Sequence, residues 1–297
     1  MAGAELTVLR EIDEAAKVHP TARVGEFCTI GPGVVIGPGT VLARRVTVTG
    51  RTTIGAGNVI GDGSVLGAVP QDLKYGGGET WLIIGDGNRL GPNVTAHVGT
   101  EAGGHLTRLG NGNVLAAGVH VAHDCYLDDA ARLGAGVLLA GHVRVETGAV
   151  IEELTGANDF TTFGQYSRVG SRTPLRRDVP PFTFFSSRGY FTAPPAVVGV
   201  NEEGLERAGL GEPEKDLVRR AVRHLFQDEQ ALQLKLREML AGEALCEPVR
   251  ALCEFCQATL AGQFGRRRET LRGTIPPEAK QYLPAEVLAR IEGGRSE

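Results

Sequence analysis

The residues most able to do acid–base chemistry are concentrated in one short stretch of this sequence. The segment HVAHDC at 120–125 places His123 beside Asp124, and Gly141 and His142 follow one eighteen-residue interval later. A carboxylate next to a histidine holds the imidazole in the tautomer that leaves its other ring nitrogen able to accept a proton. His123 is therefore predicted to act as a general base that Asp124 orients.

This set of residues favours direct group transfer without a covalent intermediate. The sequence has no glycine-rich phosphate loop ending in Lys and Ser or Thr, and no obvious serine or cysteine nucleophile beside the histidines. We expect an acceptor hydroxyl or amine to lose its proton to His123 and attack a thioester carbonyl, while the backbone N–H of Gly141 stabilises the oxyanion. No metal or other cofactor is expected, because the one suggestive pair, Cys253 and Cys256, lacks the further ligands that zinc requires.

A six-residue repeat predicts the elements that position these side chains. Aliphatic residues recur at every sixth position from Val18 to Leu66, mostly followed by glycine, and the phase returns at Ile84 and again from Leu109 to Ile151. Such repeats are typical of a left-handed parallel β-helix, in which three hexapeptides form one coil and positions eighteen apart lie above one another. The fold is therefore predicted to be mainly β, with His142 directly above or below His123 on the same wall.

After the repeats the hydrophobic spacing becomes helical, which predicts a C-terminal α-helical domain. Two interruptions of the repeat predict protruding loops, and a cluster of arginines at 266–268 with Arg272 is either a solvated face or a docking surface for a carrier protein. The predicted organisation is an N-terminal extension at 1–17, a β-helix at 18–200 with loops near 68–83 and 100–108, and a helical domain at 201–297.

Composition excludes several classes of partner. The net charge of -4 and the pI near 6.0 give no general attraction to nucleic acid or to an anionic membrane. The sequence shows neither an apolar run of the roughly 20 residues that a membrane span needs nor a signal peptide. The five scattered cysteines suit reduced thiols. We expect a cytoplasmic protein with no transmembrane segment.

Several segments, in the same order, resemble the UDP-N-acetylglucosamine 3-O-acyltransferases of lipid A biosynthesis. They are VHPTA at 18–22, PQDLKY at 70–75, TAHVGT at 95–100, HVAHDC at 120–125, LAGHV at 139–143, DVPP at 178–181 and GVNEEGL at 199–205. The resemblance runs from about Val18 to Gly209. It implies transfer of a (3-hydroxy)acyl group from acyl carrier protein to the 3-hydroxyl of UDP-N-acetylglucosamine, the first step of lipid A biosynthesis, by a homotrimer.

The resemblance also assigns roles to individual residues. His123 corresponds to the catalytic base, Asp124 to its orienting carboxylate and Gly141 to the oxyanion donor. The residues that it places against the substrates are Asp72, Lys74, His97, His120, His142, Asn158, Asp159, Ser171, Asn201 and Arg207.

This sequence departs from the family pattern at several of these positions. Asn158 stands where a histidine followed by glutamine is typical, Glu152 and Glu153 replace a glycine pair, and Ala208 replaces a second arginine. Ser171 matches the position whose side-chain size is thought to limit acyl length. Two alternatives therefore stay open: N-acylation of a UDP-amino sugar, and a non-catalytic solenoid that binds a sugar nucleotide or a partner.

Overall fold

The structure is a computed structural model that describes residues 9–187, 194–227, 230–242, 245–263, 280–281 and 283–293. The predicted arginine cluster at 266–268 with Arg272 lies outside the described residues, as do the first eight residues of the predicted N-terminal extension.

Short parallel strands stack in three sheets and form a β-helix. In the described part of the chain, sheet A has nine strands: β1 (Glu11–Ile12), β4 (Thr29–Ile30), β7 (Thr47–Val48), β10 (Val65–Ala68), β13 (Thr95–His97), β16 (His120–Val121), β19 (Leu138–Leu139), β22 (Gly156–Ala157) and β25 (Pro174–Leu175). Sheet B, within the same residues, has eight: β2 (Lys17–Val18), β5 (Val35–Ile36), β8 (Arg51–Ile54), β11 (Trp81–Ile84), β14 (Leu106–Leu109), β17 (Tyr126–Leu127), β20 (Arg144–Val145) and β23 (Thr162–Phe163). Sheet C, counted over these residues too, has ten: β3 (Arg23–Val24), β6 (Val41–Leu42), β9 (Val59–Ile60), β12 (Arg89–Leu90), β15 (Val114–Leu115), β18 (Arg132–Leu133), β21 (Val150–Ile151), β24 (Arg168–Val169), β26 (Thr183–Ser186) and β27 (Ala196–Val200).

The β-helix begins earlier than the predicted boundary at residue 18. Strand β1 pairs in parallel with β4, with Glu11 opposite Thr29, so part of the predicted extension at 1–17 belongs to the first coil. Ile12 stands six residues before Val18 and therefore continues the repeat. It is 42 % exposed, because it lies at the open end of the column.

The predicted aliphatic positions form the buried column inside the coils. Ile30, Ile54 and Leu139 are examples, each at most 1 % exposed. A second inward position, which the six-residue pattern did not reveal, lies two residues before each aliphatic and carries a small or polar side chain, such as Val46 before Val48. Each six-residue repeat thus buries two side chains, and burial of the apolar ones stabilises the stack of coils.

Three stacked asparagines occupy this second position where sheet B turns into sheet C. The Asn88 side-chain amide donates to Asn58 Oδ1 at 3.0 Å and to the Gly110 carbonyl at 2.9 Å. Asn88 Oδ1 accepts the backbone N–H of Asn113 at 2.8 Å. Buried polar groups are tolerated only when they are hydrogen-bonded, so this ladder ties three coils together.

Two loops leave the wall, both between sheet A and sheet B. The first loop spans 69–80, between β10 and β11, and the second spans 98–105, between β13 and β14. The second loop contains a 3₁₀ turn at Glu101–Gly103, followed by Gly104 and His105 with φ of 98° and 68°. Both loops therefore emerge at the same edge of the β-helix.

The chain ends in a helical domain that covers the last coil. Strands β26 and β27 form an antiparallel hairpin at the end of sheet C. The helices that follow are α1 (Glu202–Arg207), α2 (Glu212–Gln227), α3 (Leu232–Ala241) and α4 (Glu247–Ala261), and they share an apolar core with the last coil. The predicted mainly β fold with a C-terminal helical domain is confirmed. In the described residues, no helix has both the length and the apolar character that crossing a membrane requires.

A last helix, α5 (Ala285–Gly293), returns to the side of the β-helix. Leu283 and Val287 pack with Trp81, Leu106 and Tyr126, which lie on the outer face of sheet B. Trp81 is 8 % exposed in this arrangement. The end of the chain thus shields an aromatic patch next to the two loops.

Separating α5 from sheet B is expected to change the fluorescence of the protein. The sequence has one tryptophan, Trp81, so its emission reports on this contact alone. Replacing Leu283 and Val287 by aspartate places charges against an apolar surface. We expect the emission maximum to move to longer wavelength, whereas Glu286→Ala, at an exposed position of the same helix, should leave it unchanged. An unshifted maximum in the double variant would show that α5 does not cover Trp81.

Candidate active site

The turns that lead from sheet A to sheet B form one edge of the β-helix, the A/B corner, made by residues 122–125, 140–143 and 158–161. The three turns lie above one another, and each has a residue with left-handed backbone: Asp124, His142 and Phe160, with φ of 58°, 63° and 64°. Asp124 lies level with His142, and Gly141 lies level with His123, as the register of β16 on β19 requires. The prediction that His142 lies directly above or below His123 was wrong by one residue, since one coil is eighteen residues.

His123 and Asp124 form a buried hydrogen-bonded pair. His123 Nδ1 lies 2.8 Å from Asp124 Oδ2, and the carboxylate has no exposed side-chain surface. Because an ionised carboxylate only accepts hydrogen bonds, the proton on the neutral ring lies on Nδ1. Nε2 is then the nitrogen with a lone pair. The pair is held as the sequence predicted, and its geometry is compatible with a base and an orienting carboxylate, roles that stay predictions.

Gly141 lies against the edge of the His123 ring that carries Nε2. A Cβ atom at position 141 would lie 2.6 Å from Cε1 and 2.8 Å from Nε2 of His123, so only glycine leaves this edge open. The Gly141 carbonyl accepts the N–H of Phe160 at 3.1 Å, while no hydrogen bond engages the Gly141 N–H within the described residues. Its position is compatible with the predicted oxyanion donor, a role that stays a prediction.

His142 closes the other side of the pair. Its ring meets the His123 ring edge to face, with centroids 5.3 Å apart, and stacks on Phe160 at 4.4 Å. Nε2 of His142 lies 3.8 Å from Asp124 Oδ2. The three side chains could in principle hold a metal ion, because their ligand atoms lie within 4.8 Å of one another. The His123–Asp124 hydrogen bond engages Nδ1 of the ring and one carboxylate oxygen.

His120 lies on sheet A in the same coil as His123, and His97 lies one coil below it at the end of β13. His97 Nδ1 lies 2.6 Å from the Val69 carbonyl, and His120 Nδ1 lies 2.8 Å from Thr95 Oγ1. Burial, with smaller contributions from His97 and His123, lowers the pKa of His120. A lowered pKa favours the neutral form of His120 next to His123.

Asp72 and Lys74 lie in the first loop. The Asp72 carboxylate accepts the backbone N–H of Lys74 at 2.9 Å and so shapes the loop, while the Lys74 side chain is exposed. Between them Leu73 is fully exposed. Both predicted contact residues thus lie on the loop anchored at Val69 beside His97.

Asn158 and Asp159 lie on the A/B corner one coil above Gly141, and both are exposed. They line a cavity of about 1010 Å³ between the last coils and the helical domain. Arg176 and Arg177 line it from the next coil, and Phe226 is among the residues that line it from the helices. These arginines were missed, because surface cations give no signal in a hexapeptide pattern.

Ser171 lies elsewhere, on the corner where sheet C turns into sheet A. Its hydroxyl oxygen lies 2.9 Å from a Glu152 oxygen and 2.8 Å from a Glu153 oxygen and shares its one hydrogen between them, so the two carboxylates that replace the glycine pair hold the serine. Burial would raise the pKa of Glu152, but hydrogen bonds from Arg168 and Ser171 outweigh it and lower the pKa. Within this chain, Ser171 is not part of the His123 cluster.

Asn201 and Arg207 lie on the third corner, where sheet B turns into sheet C. The Asn201 amide donates to the Tyr166 carbonyl at 2.7 Å. The Arg207 guanidinium donates to the carbonyls of Gly148 and Ala130, each at 2.8 Å. The predicted substrate residues are therefore divided among three corners.

Comparisons with known proteins give the class first. A family model described as bacterial transferase hexapeptide (six repeats) matches residues 11–44, and one described as UDP N-acetylglucosamine O-acyltransferase, domain 2, matches residues 178–264. The coils and these matches define a hexapeptide-repeat transferase.

Relatives make the assignment specific. The acyl-[acyl-carrier-protein]–UDP-N-acetylglucosamine O-acyltransferase of Aliivibrio salmonicida is 36 % identical over 62 % of this chain and 68 % of its own length. The enzyme of the same name from Synechocystis is 38 % identical over 61 % of this chain and 63 % of its length. The crystal structure of UDP-N-acetylglucosamine O-acyltransferase from Moraxella catarrhalis matches with a TM-score of 0.77 and 32 % identity, covering 84 % of this chain and 95 % of that one. This chain belongs to the UDP-N-acetylglucosamine O-acyltransferase family.

Proposed function

We propose that this protein transfers an acyl group from acyl carrier protein to the 3-hydroxyl of UDP-N-acetylglucosamine, the reaction that opens lipid A biosynthesis. The observation that carries the proposal is the His123–Asp124 pair, whose Nε2 faces the gap left by Gly141. The names of the relatives supply the two substrates. We place the reaction in the cytoplasm, because its sugar nucleotide and its acyl carrier are cytoplasmic metabolites.

His123 carries the proton through the reaction. Nε2 accepts the proton of the sugar hydroxyl, and the oxygen attacks the thioester carbonyl carbon. Asp124 stabilises the imidazolium that forms, since its Oδ2 already accepts the Nδ1 hydrogen at 2.8 Å. When the tetrahedral intermediate collapses, the C–S bond breaks and the imidazolium returns its proton to the carrier thiolate. No metal ion or other cofactor takes part in these steps.

The Gly141 N–H is proposed to stabilise the oxyanion of that intermediate. A backbone donor next to the base needs no reorganisation during the reaction and is worth about 10²- to 10³-fold in rate at comparable sites. His142, His120 and His97 line the same edge and are proposed to contact the acceptor sugar together with Asp72 and Lys74. Ser171 is proposed to border the acyl chain. Asn158 and Asp159 are proposed to border the sugar and the acyl chain.

A product assay tests the proposal. Purified protein is incubated with a mixture of 3-hydroxyacyl carrier proteins and UDP-N-acetylglucosamine, and mass spectrometry identifies the acylated sugar nucleotide. We expect an ester at the 3-hydroxyl, with little product from a UDP-3-amino sugar offered in parallel. A preference for the amine would replace the proposal by N-acylation. No product from either acceptor would favour the non-catalytic alternative.

We further propose that the protein works as a homotrimer with sites shared between copies. The predicted contacts from Asn201 and Arg207 cannot reach His123 within one chain, because they lie on a different corner. A head-to-tail ring places the A/B corner of one copy against other surfaces of the next, and a threefold rotation closes it.

Mixing two inactive variants is expected to restore activity if the sites are shared. His123→Ala and Arg207→Ala, each inactive alone, are co-expressed in equal amounts so that copies assort randomly. A site with an intact His123 from one copy and an intact Arg207 from its neighbour then arises in about a quarter of cases, so activity should approach about a quarter of wild type. Absence of recovery in mixed oligomers would place the site within a single chain, and an active Arg207→Ala would remove Arg207 from it.

A further inference from the structure

The second loop holds Asp124 from the side opposite His123. The Thr100 hydroxyl donates to Asp124 Oδ2 at 2.6 Å, and the Thr100 backbone N–H donates to Oδ1 at 2.8 Å. Thr100 therefore binds both oxygens of the carboxylate, with Thr100 itself 1 % exposed. The backbone N–H of Asp124 donates in turn to Thr107 Oγ1 at 2.8 Å. The two bonds from Thr100 to the charged carboxylate are each stronger than a hydrogen bond between neutral groups.

The loop leaves room for the carboxylate and for nothing larger. A Cβ atom at Gly103 would lie 2.0 Å from the Asp124 carboxyl carbon. The Thr100 carbonyl accepts the N–H groups of Gly103 at 3.0 Å and His105 at 2.8 Å, which closes the turn around it. Thr100, Gly103 and the turn between them thus form a pocket with the shape of one carboxylate.

This pocket is also connected to the first loop. Glu101 Oε1 accepts the backbone N–H of Gly78 at 2.5 Å, and His105 Nδ1 lies 2.8 Å from the Glu79 carbonyl. The two loops therefore support each other, and the loop that carries Asp72 and Lys74 rests on the turn that holds Asp124. None of these contacts reaches the open edge of the His123 ring.

We propose that Thr100 is a positioning residue for the acyl transfer, acting through Asp124 on His123; this rests on the proposed function. Oδ2 is shared between the Thr100 hydroxyl and His123 Nδ1, so the threonine fixes which oxygen the imidazole meets and in what orientation. Oδ1 has the Thr100 N–H as its hydrogen-bond partner in the described residues. Without the hydroxyl, the carboxylate can rotate and His123 loses its single tautomer.

Three variants test the proposal in the full-length protein. Thr100→Val keeps the shape and removes the hydroxyl, Thr100→Ser restores it, and Thr47→Val removes a hydroxyl from the outer face of sheet A on β7, a strand from which neither loop emerges. We expect Thr100→Val to lower kcat by about 10- to 100-fold, the usual cost of losing an outer-shell partner. KM should change by less than about twofold. Thr100→Ser should recover most of the rate, and Thr47→Val should match wild type.

A spectroscopic measurement separates this proposal from the proposed function. Nitrogen NMR of ¹⁵N-histidine-labelled protein, with the His123 signals assigned through His123→Ala, reports the tautomer without any substrate. We expect a pure Nδ1–H tautomer in wild type and a mixture in Thr100→Val, even if no acyl transfer is found. An unchanged tautomer, or an unchanged kcat in an active enzyme, would overturn the role of Thr100.

Discussion

His123→Ala is expected to lower kcat/KM for acyl transfer by about 10²- to 10⁴-fold, the range that general bases contribute. The ring is 9 % exposed and its Nδ1 is committed to Asp124, so no other group in the described corner is held in the same way. The loss should appear in kcat, because the proton is transferred in the transition state. Initial rates over a range of both substrate concentrations measure it.

His19→Ala is the matched control for this substitution. His19 is an exposed histidine near the start of the β-helix, bonded to Thr21 at 2.9 Å, and it lies many coils from the A/B corner cluster. Its removal should leave kcat and KM at wild-type values. A His123→Ala enzyme with more than about a tenth of the wild-type kcat would show that another group accepts the proton.

Asn88→Ala is expected to lower the free energy of unfolding by about 2–5 kcal/mol, because it leaves the Gly110 carbonyl and the Asn113 N–H buried without partners. Both groups lie inside the β-helix, where water does not replace the lost amide. Urea denaturation at fixed protein concentration measures the change.

Asn111→Ala is the comparison for the ladder. Asn111 is exposed on the neighbouring turn and bonds to Asp86 and Asp129, so water can replace its side chain. Its substitution should cost less than about 1 kcal/mol. Equal losses in the two variants would mean that the Asn58–Asn88–Asn113 ladder contributes no more than ordinary surface bonds do.

The six-residue period predicts most of the fold, because the coil geometry requires one inward aliphatic residue in each hexapeptide. Val24 through Leu66 therefore appear inside the β-helix as predicted. The start of the helix was missed, since Ile12 is an isolated member of the series before a stretch of charged residues. The asparagine ladder was missed as well, because a polar residue in a buried position is defined by partners a whole coil away.

The site was predictable where neighbours in sequence remain neighbours in space. His123 and Asp124 are adjacent in the chain and adjacent in the structure. In the sequence Thr100 is only the last residue of a family motif. Its hydrogen bonds to Asp124 join residues twenty-four positions apart across an irregular loop, so the sequence pattern does not predict them. Likewise the local sequence does not show that Asn201 and His123 lie on different corners of the β-helix. That assignment requires counting the strands along the whole chain, and the two loops interrupt the six-residue count.

The contact between α5 and sheet B has a consequence for the order in which the molecule is completed during synthesis. Coils of a solenoid depend on their nearest neighbours, so the β-helix can form stepwise as it emerges from the ribosome. Trp81, Leu106 and Tyr126 are then made early, but Leu283 and Val287, which cover them, are translated long afterwards. A nascent chain therefore presents an indole and a phenol ring to chaperones until the segment with Leu283 and Val287 has been made.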